Sequence, residues 1–217
     1  MIRAVIFDLD GVLVTTDECH YQAWKKMADE QNIPFSREIN EQLRGVSRMD
    51  CVDIILKSAA RAYTDAEKLA LATRKNDLYI ALISQLNAGA ILPGALDTVR
   101  ALRNAGIKVA VGSASKNTPL ILHQLQMDGL FDAVSDGNQL LHGKPDPEVF
   151  LRAAKMVSIP PADCLVVEDA DAGLEAAKRG GMRSLGVGAA QNNDKATFNA
   201  SSLADIDLAA LIRADAI

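Results

Sequence analysis

An apolar run that ends in two closely spaced acids, near the start of the chain, most constrains the fold. Residues 4–7 read Ala-Val-Ile-Phe and are followed by Asp8, Leu9, Asp10 and Gly11. Such a run is typical of a strand buried on both faces of a parallel sheet. Because side chains two residues apart on a strand point to the same side, we expect Asp8 and Asp10 to lie together where this strand ends.

Two acids at one strand end repel each other. They persist if a cation neutralises one of them or if one stays protonated. Both conditions suit phosphoryl transfer, in which a magnesium-bound nucleophile works beside a general acid and base. The alternative is an acidic turn with no catalytic role, since Asp and Gly are common turn formers. The tetrapeptide alone leaves both interpretations open.

The remaining sequence divides into a helical block and a block in which strands and helices alternate. Between residues 17 and 90 we find no strand pattern, and helices are predicted at residues 18–31, 39–43, 52–60 and 65–86. Further on, strands are predicted at residues 107–112, 131–134, 164–167 and 184–187. Helices are predicted before, between and after these strands at residues 96–104, 116–126, 146–156, 172–179 and 201–213.

This arrangement predicts an α/β fold with two domains. Alternating strands and helices indicate a Rossmann-like core with a parallel sheet and helices on both faces. The core is predicted to comprise residues 1–15 and 91–217, with an inserted α-helical cap at residues 16–90. In such sheets, ligands bind beyond the carboxyl ends of the strands.

Composition and charge indicate which classes of partner the chain is not expected to bind. With 23 basic and 28 acidic residues the net charge is −5, and no basic cluster stands out, so we expect no nucleic-acid partner. The sequence shows no signal peptide and no long uncharged span, so we expect a cytoplasmic protein that does not associate with membranes. We also expect a monomer. Cys19, Cys51 and Cys164 are odd in number and lack metal-binding spacing, which indicates free thiols, two of them packed.

Residues that follow the other predicted strands also suit phosphate chemistry. Residues 113–117 form a turn of small and hydroxyl side chains before a helix, a place where backbone N–H groups can meet an anion, although serine is also a common helix cap. Glu168 and Asp169 end a strand, and oxygen ligands from separate strands are what Mg²⁺ requires. Lys144 could neutralise charge on a transferring phosphate, although most loop lysines are merely solvated.

Together, these residues resemble the four-motif pattern of the haloacid dehalogenase superfamily of phosphotransferases. The motifs are residues 8–11, Ser113, Lys144 and the pair Glu168 and Asp169. The helical block resembles the cap of that superfamily. Within the superfamily, the residues around Thr16, Arg48, Lys75 and Ser113 resemble those of the β-phosphoglucomutase family. The similarity to that family then extends over nearly the full length of the chain.

The resemblance implies a mutase that interconverts β-D-glucose 1-phosphate and glucose 6-phosphate through a bisphosphate. It implies that Asp8 is the nucleophile and that Asp10 is the general acid and base, with its main chain also helping to hold Mg²⁺. Asp8, Glu168 and Asp169 are the implied side-chain ligands of this ion. The implied substrate-binding residues are Thr16, His20, Trp24, Gly45, Arg48, Lys75, Ser113, Ala114, Ser115, Lys116, Asn117 and Lys144.

The resemblance implies separate binding sites for the two phosphates of the bisphosphate. Ser113, Ala114 and Lys144 are implied to hold the transferring phosphoryl group. Arg48 of the cap is implied to contact the other phosphate, together with residues 115–117. Cap closure would then exclude water and add Arg48 only when a second phosphate is bound.

The chain departs from the family pattern at some positions, and two alternatives remain at this stage. Thr15 stands where the family usually has Asp, and Cys51 stands where a Ser commonly contacts the sugar, so we expect the departures to affect sugar preference more than the chemistry. A sugar-phosphate phosphatase of the same superfamily is the first alternative, and the cap residue Arg48 together with residues 115–117 argues against it. A non-catalytic phosphosugar-binding module is the second, but no key acid is missing.

Overall fold

The computed structural model describes residues 1–43, 46–208 and 211–212. The strands are β1 (Ala4–Phe7), β2 (Lys108–Gly112), β3 (Ala133–Ser135), β4 (Cys164–Glu168), β5 (Arg183–Gly186) and β6 (Phe198–Asn199). The α-helices are α1 (Asp17–Glu30), α2 (Arg37–Glu41), α3 (Arg48–Leu56), α4 (Asp65–Ile83), α5 (Ala95–Asn104), α6 (Thr118–Gln124), α7 (Glu148–Met156) and α8 (Asp171–Arg179). Short 3₁₀ helices occupy Ala88–Ala90, Pro161–Asp163, Gly188–Ala190 and Leu203–Asp205.

All six strands belong to one parallel sheet with the order β3-β2-β1-β4-β5-β6. β1 is central, and Phe7 at its end pairs with Val111 of β2 and Val167 of β4. The residues that follow these three strands therefore come out at one edge of the sheet. This edge is where a parallel α/β sheet binds its ligands.

The sheet is buried on both faces, which explains the continuous apolar runs in its central strands. Ile6 lies in a buried cluster with Val166 of β4 and with Phe150 and Ala153 of α7. Val5 and the other residues that point away from this cluster are also fully buried. Because strand side chains alternate, the apolar character at every position of β1 reflects cover on both faces.

The inserted helices have a core of their own. Trp24 and Met27 of α1, Ile55 of α3 and Leu71 of α4 belong to one buried cluster. α4 begins with a capping box, in which Thr64 Oγ1 accepts from the Glu67 amide and Glu67 Oε2 accepts from the Thr64 amide.

The chain divides into two compact units. The first comprises Met1–Thr15 and Asn87–Ile217, and the second comprises Thr16–Leu86. Residues 87–90, which the sequence pattern grouped with the helical block, fall in the first unit. That the second unit acts as a cap stays a prediction. No helix in the described part of the chain is both long and apolar enough to span a membrane.

The α/β fold with a parallel sheet is confirmed, but the predicted closing helix at residues 201–213 is wrong at its start. The segment Leu203–Asp205 is a short 3₁₀ helix. Ser201 and Ser202 both donate their hydroxyls to Asp205 Oδ2, and Ser202 Oγ accepts from the Ala204 amide. Such local bonds compete with α-helix formation. Residues 209–210 and 213 of the predicted helix lie outside the described residues.

Strand β6 was not predicted, and β3 begins later than the pattern suggested. β6 has only two residues, Phe198 and Asn199, and so carries no apolar alternation. β3 was predicted at residues 131–134, but it begins at Ala133. Asp132, just before the strand, accepts a hydrogen bond from the Val109 amide with its carboxylate at 2.9 Å.

We expect Ile6→Ala to lower the free energy of unfolding by about 2–5 kcal/mol, because it opens a cavity between the central strand and α7. The control is Leu141→Ala, which truncates a side chain that is 86% exposed and should change stability by less than about 0.5 kcal/mol. Urea denaturation followed by circular dichroism measures both. Equal midpoints for the two variants would contradict the packing described for β1.

Candidate active site

Three carboxylates meet at the edge of the sheet where β1 and β4 end. Asp8 follows β1, Glu168 is the last residue of β4, and Asp169 follows it. The register that pairs Phe7 with Val167 places Asp8 next to Glu168. One carboxylate oxygen from each of the three acids lies within 4.8 Å of the others. The structure thus brings together three of the acids that the sequence pattern singled out.

Lys144 inserts its ammonium group between two of these acids. Its Nζ donates to Asp8 Oδ1 and to Glu168 Oε1, both at 2.5 Å, and its side chain is only 6% exposed. The same Nζ lies 4.8 Å from the centroid of the Phe150 ring. The second oxygen of Glu168 accepts from the Ala170 amide at 2.8 Å. The loop lysine is therefore a buried part of the acidic site.

The protonation states of Asp8 and Lys144 depend on each other and on the neighbouring acids. Burial raises the pKa of Asp8 well above its usual value; the Lys144 ammonium opposes this rise, and the carboxylates of Glu168 and Asp169 add to it. Burial alone would lower the pKa of Lys144, but Asp8 and Glu168 raise it above its usual value. Lys144 therefore stays charged. A divalent cation among the acids would favour the ionised form of Asp8.

The donor set fits a divalent metal ion. Asp8, Glu168 and Asp169 offer hard carboxylate oxygens, which Mg²⁺, Mn²⁺ and Ca²⁺ prefer. Three neighbouring carboxylates carry more negative charge than one ammonium can balance, so a cation would stabilise them. Among the described residues, the side chain of Asp10 is not part of this three-acid group. Its predicted main-chain contact with a metal stays a prediction.

Gly173 is part of the site, although the sequence pattern did not mark it. A Cβ atom on Gly173 would lie 1.8 Å from Glu168 Oε1. Glycine in the first turns of α8 therefore leaves the space that the Glu168 carboxylate occupies. A signal was present, since glycine is unfavourable inside a helix and so suggests a packing reason.

Residues 113–117, here called the hydroxyl turn, follow β2 beside the acidic group. Ser113 is buried, and its Oγ accepts from the Ser115 amide at 3.2 Å. Ser115 Oγ accepts from the Asn117 amide, also at 3.2 Å. α6 begins at Thr118, two residues later than predicted. The exposed members of the turn are Ala114 and Lys116.

Within the helical unit, four predicted residues come together around Tyr79. Lys75 Nζ lies 2.9 Å from His20 Nδ1, 4.3 Å from the centroid of the Tyr79 ring and 4.8 Å from that of Trp24. Tyr79 Oη donates to Thr16 Oγ1 at 3.0 Å, and its ring centroid lies 4.2 Å from that of His20. Tyr79 was missed because its place in α4 reads as ordinary apolar packing.

Arg48 and Cys51 lie on α3, whereas Gly45 lies outside the described residues. Arg48 is partly buried, and the pKa of its guanidinium group is lowered. Desolvation causes this shift, and Tyr79 opposes it. The Cys51 thiol donates to the carbonyls of Leu43 and Val46 at 3.7 and 3.6 Å, and burial raises its pKa to about 11. Cys51 is therefore a neutral thiol bonded to the backbone.

The chain resembles known proteins over most of its length. The family model for haloacid dehalogenase-like hydrolases matches residues 2–181. A β-phosphoglucomutase of Bacillus subtilis is 46% identical over 192 residues, which cover 88% of this chain and 85% of that protein. A phosphorylated carbohydrates phosphatase of Thermotoga maritima is 27% identical over 94% of this chain and 93% of its own length.

The fold gives the same result. A crystal structure of β-phosphoglucomutase from Clostridium difficile superposes with a TM-score of 0.91 at 35% identity, covering 100% of this chain and 99% of that one. These matches confirm the resemblance inferred from the motifs and make the chain a homologue of β-phosphoglucomutases. The chain belongs to the haloacid dehalogenase-like hydrolase family.

Proposed function

We propose that this protein is a magnesium-dependent β-phosphoglucomutase that interconverts β-D-glucose 1-phosphate and D-glucose 6-phosphate. The observation that carries the proposal is the Lys144 ammonium bridging Asp8 and Glu168, with Asp169 beside them. This arrangement supplies a carboxylate nucleophile, a fixed positive charge and oxygen ligands for a cation. In-line phosphoryl transfer requires mainly such positioning and charge stabilisation.

The reaction follows from the roles proposed for two acids. On the enzyme with phosphorylated Asp8, the free hydroxyl of β-D-glucose 1-phosphate attacks phosphorus while the bond from phosphorus to Asp8 breaks, and Asp10 accepts the proton of that hydroxyl. This step gives the bisphosphate and frees Asp8. After the bisphosphate has changed ends, an oxygen of Asp8 forms a bond to its other phosphorus while the bond from that phosphorus to the sugar oxygen breaks, and Asp10 donates the proton to the leaving oxygen. D-glucose 6-phosphate is released and phosphorylated Asp8 is restored.

Mg²⁺ is the cation that we propose for the acidic group. Asp8, Glu168 and Asp169 would hold it through their side chains, and Asp10 through its main chain. When bound, it neutralises charge on the transferring phosphoryl group. Lys144 adds a second positive charge from within the protein, and Ser113 and Ala114 complete the site for that phosphoryl group.

The second phosphate of the substrate is proposed to bind elsewhere. Ser115, Lys116 and Asn117 of the hydroxyl turn would bind it together with Arg48 of the helical unit. A guanidinium can donate two parallel hydrogen bonds to one phosphate, which makes Arg48 suited to this role. The helical unit is proposed to act as a cap that also supplies Thr16, His20, Trp24, Gly45 and Lys75.

Phosphatase activity is the competing proposal, since phosphatases of the same family share the fold. The identity of 46% with a β-phosphoglucomutase, against 27% with a carbohydrate phosphatase, favours the mutase. A cytoplasmic location is proposed as well. It agrees with the finding that Cys19, Cys51 and Cys164 form no disulfide bond, as expected in a reducing compartment. The monomeric state stays a prediction.

Steady-state assays with Mg²⁺ decide between the two activities. We expect β-glucose 1-phosphate to be isomerised, in the presence of a trace of β-glucose 1,6-bisphosphate, faster than inorganic phosphate is released from glucose 6-phosphate. Both anomers and several hexose 1-phosphates should be compared, because the substitution at Cys51 leaves sugar preference open. Faster phosphate release than isomerisation for every sugar would establish a phosphatase instead.

Asp8→Asn should lower mutase turnover by roughly a thousandfold or more, because an amide cannot form the phosphoenzyme. It should also abolish tight binding of beryllofluoride, which mimics an aspartyl phosphate, while the circular dichroism spectrum stays unchanged. Asp97→Asn is the matched control, since that carboxylate is 90% exposed on α5. Normal turnover in the Asp8 variant would refute the nucleophile assignment.

Arg48→Ala should reduce kcat/KM for the mutase reaction by about 10- to 100-fold, the value of a charge-assisted contact with a phosphate. Hydrolysis of acetyl phosphate, which has no second phosphate, should change little. The control variant is Arg61→Ala, which removes an exposed arginine stacked on Tyr63 in the same helical unit. Equal losses in both reactions would contradict the proposed role of Arg48.

A further inference from the structure

The hydroxyl turn is fastened to the residues that end and follow β3. Residues 135–138 are here called the brace. The Ser113 amide donates to the Ser135 carbonyl at 3.0 Å, and the Gly137 amide donates to the Ser115 carbonyl at 3.2 Å. The turn is therefore held from the neighbouring strand as well as by its own internal bonds.

The brace approaches the turn so closely that one position excludes any side chain. A Cβ atom on Gly137 would lie 2.2 Å from the carbonyl oxygen of Ala114 and 3.0 Å from the amide nitrogen of Lys116. Both neighbours are backbone atoms, which cannot rotate away as a side chain can. Glycine at position 137 is thus required by the close approach of two backbones.

Asn138 contacts Lys116, one of the residues proposed to bind the second phosphate. Its Nδ2 donates to the carbonyl of Lys116 at 3.0 Å. Asn138 is itself held, since its backbone amide donates to Asp136 Oδ1 at 2.8 Å. This local turn directs the Asn138 amide group to one residue of the hydroxyl turn.

The internal bonds of the turn leave its hydroxyl protons available. Ser113 Oγ and Ser115 Oγ each accept from a backbone amide two residues ahead. A hydroxyl that accepts one such bond still has a proton to donate. The backbone conformation of the turn thus determines the direction of the Ser115 hydroxyl and of the Lys116 side chain. The brace makes three hydrogen bonds to this backbone, at Ser113, Ser115 and Lys116.

We propose that Asn138 is a positioning residue for the phosphate that is not being transferred, because it fixes the backbone of Lys116 from the brace. The proposal rests on the proposed function, which gives Ser115 and Lys116 a phosphate to bind. Because Asn138 contacts Lys116 and not the acidic group, its loss should weaken the binding of substrates with a distant phosphate and spare transfer to Asp8.

The test compares Asn138→Ala and Asn138→Asp with Gln139→Ala, an exposed neighbour that serves as control. Asp keeps the shape of Asn but has no donor for the Lys116 carbonyl. In both Asn138 variants, we expect KM for β-glucose 1-phosphate, and Kd for glucose 6-phosphate by calorimetry, to rise about fivefold, the typical value of one hydrogen bond. The mutase kcat, and kcat/KM for acetyl phosphate hydrolysis, should stay within about twofold.

Each outcome has a distinct meaning. Unchanged KM and Kd in both variants, with normal mutase activity in the wild type, would overturn the positioning role. Equal losses with glucose 1-phosphate and acetyl phosphate would also overturn it, since they indicate a general structural role. A wild-type protein without mutase activity would refute the proposed function, and the affinity for glucose 6-phosphate would then test Asn138 alone. If the Ala variant does not fold, the Asp variant decides.

Discussion

The structure depends on one electrostatic constraint, the balance of charge at the ends of β1 and β4. Asp8, Glu168 and Asp169 converge there, and the buried ammonium of Lys144 lies between the first two. Three carboxylates against one ammonium leave an excess of negative charge, which is costly in a buried site unless a cation or a proton offsets it. The parallel register of the central strands creates this problem, and a phosphate with its metal ion would resolve it.

Much of this site was predictable because parallel strands have a simple rule. Their carboxyl ends meet at one edge, so acids that follow separate apolar runs, such as Asp8 and Glu168, could be grouped without a structure. What local patterns could not give were contacts set by packing between distant parts of the chain. Tyr79 lies 63 residues from its hydrogen-bond partner Thr16. Gly173 is explained by the space that Glu168 occupies.

The predicted secondary structure was wrong or incomplete where contacts with other residues determine the backbone. The apolar residues near the end of the chain suggested a helix from residue 201, but hydroxyl bonds to Asp205 produce a 3₁₀ turn at Leu203–Asp205. β6 has two residues and is defined by its pairing with β5, as in the register of Leu185 with Phe198. Short elements of this kind are determined by neighbours, whereas long apolar strands such as β4 are evident from their own residues.

The proposed mutase reaction would place opposite demands on the two proposed phosphate sites, and the residues proposed for them differ accordingly. The transferring group must be shielded from water, and Asp8, Ser113 and Glu168 are buried. The bisphosphate must also change ends, so its second phosphate has to be released readily from its contacts. Lys116 is exposed, and solvent screening weakens the ion pairs of such a group. A firm backbone with solvated side chains meets this demand, because it gives direction to the contacts without making them strong.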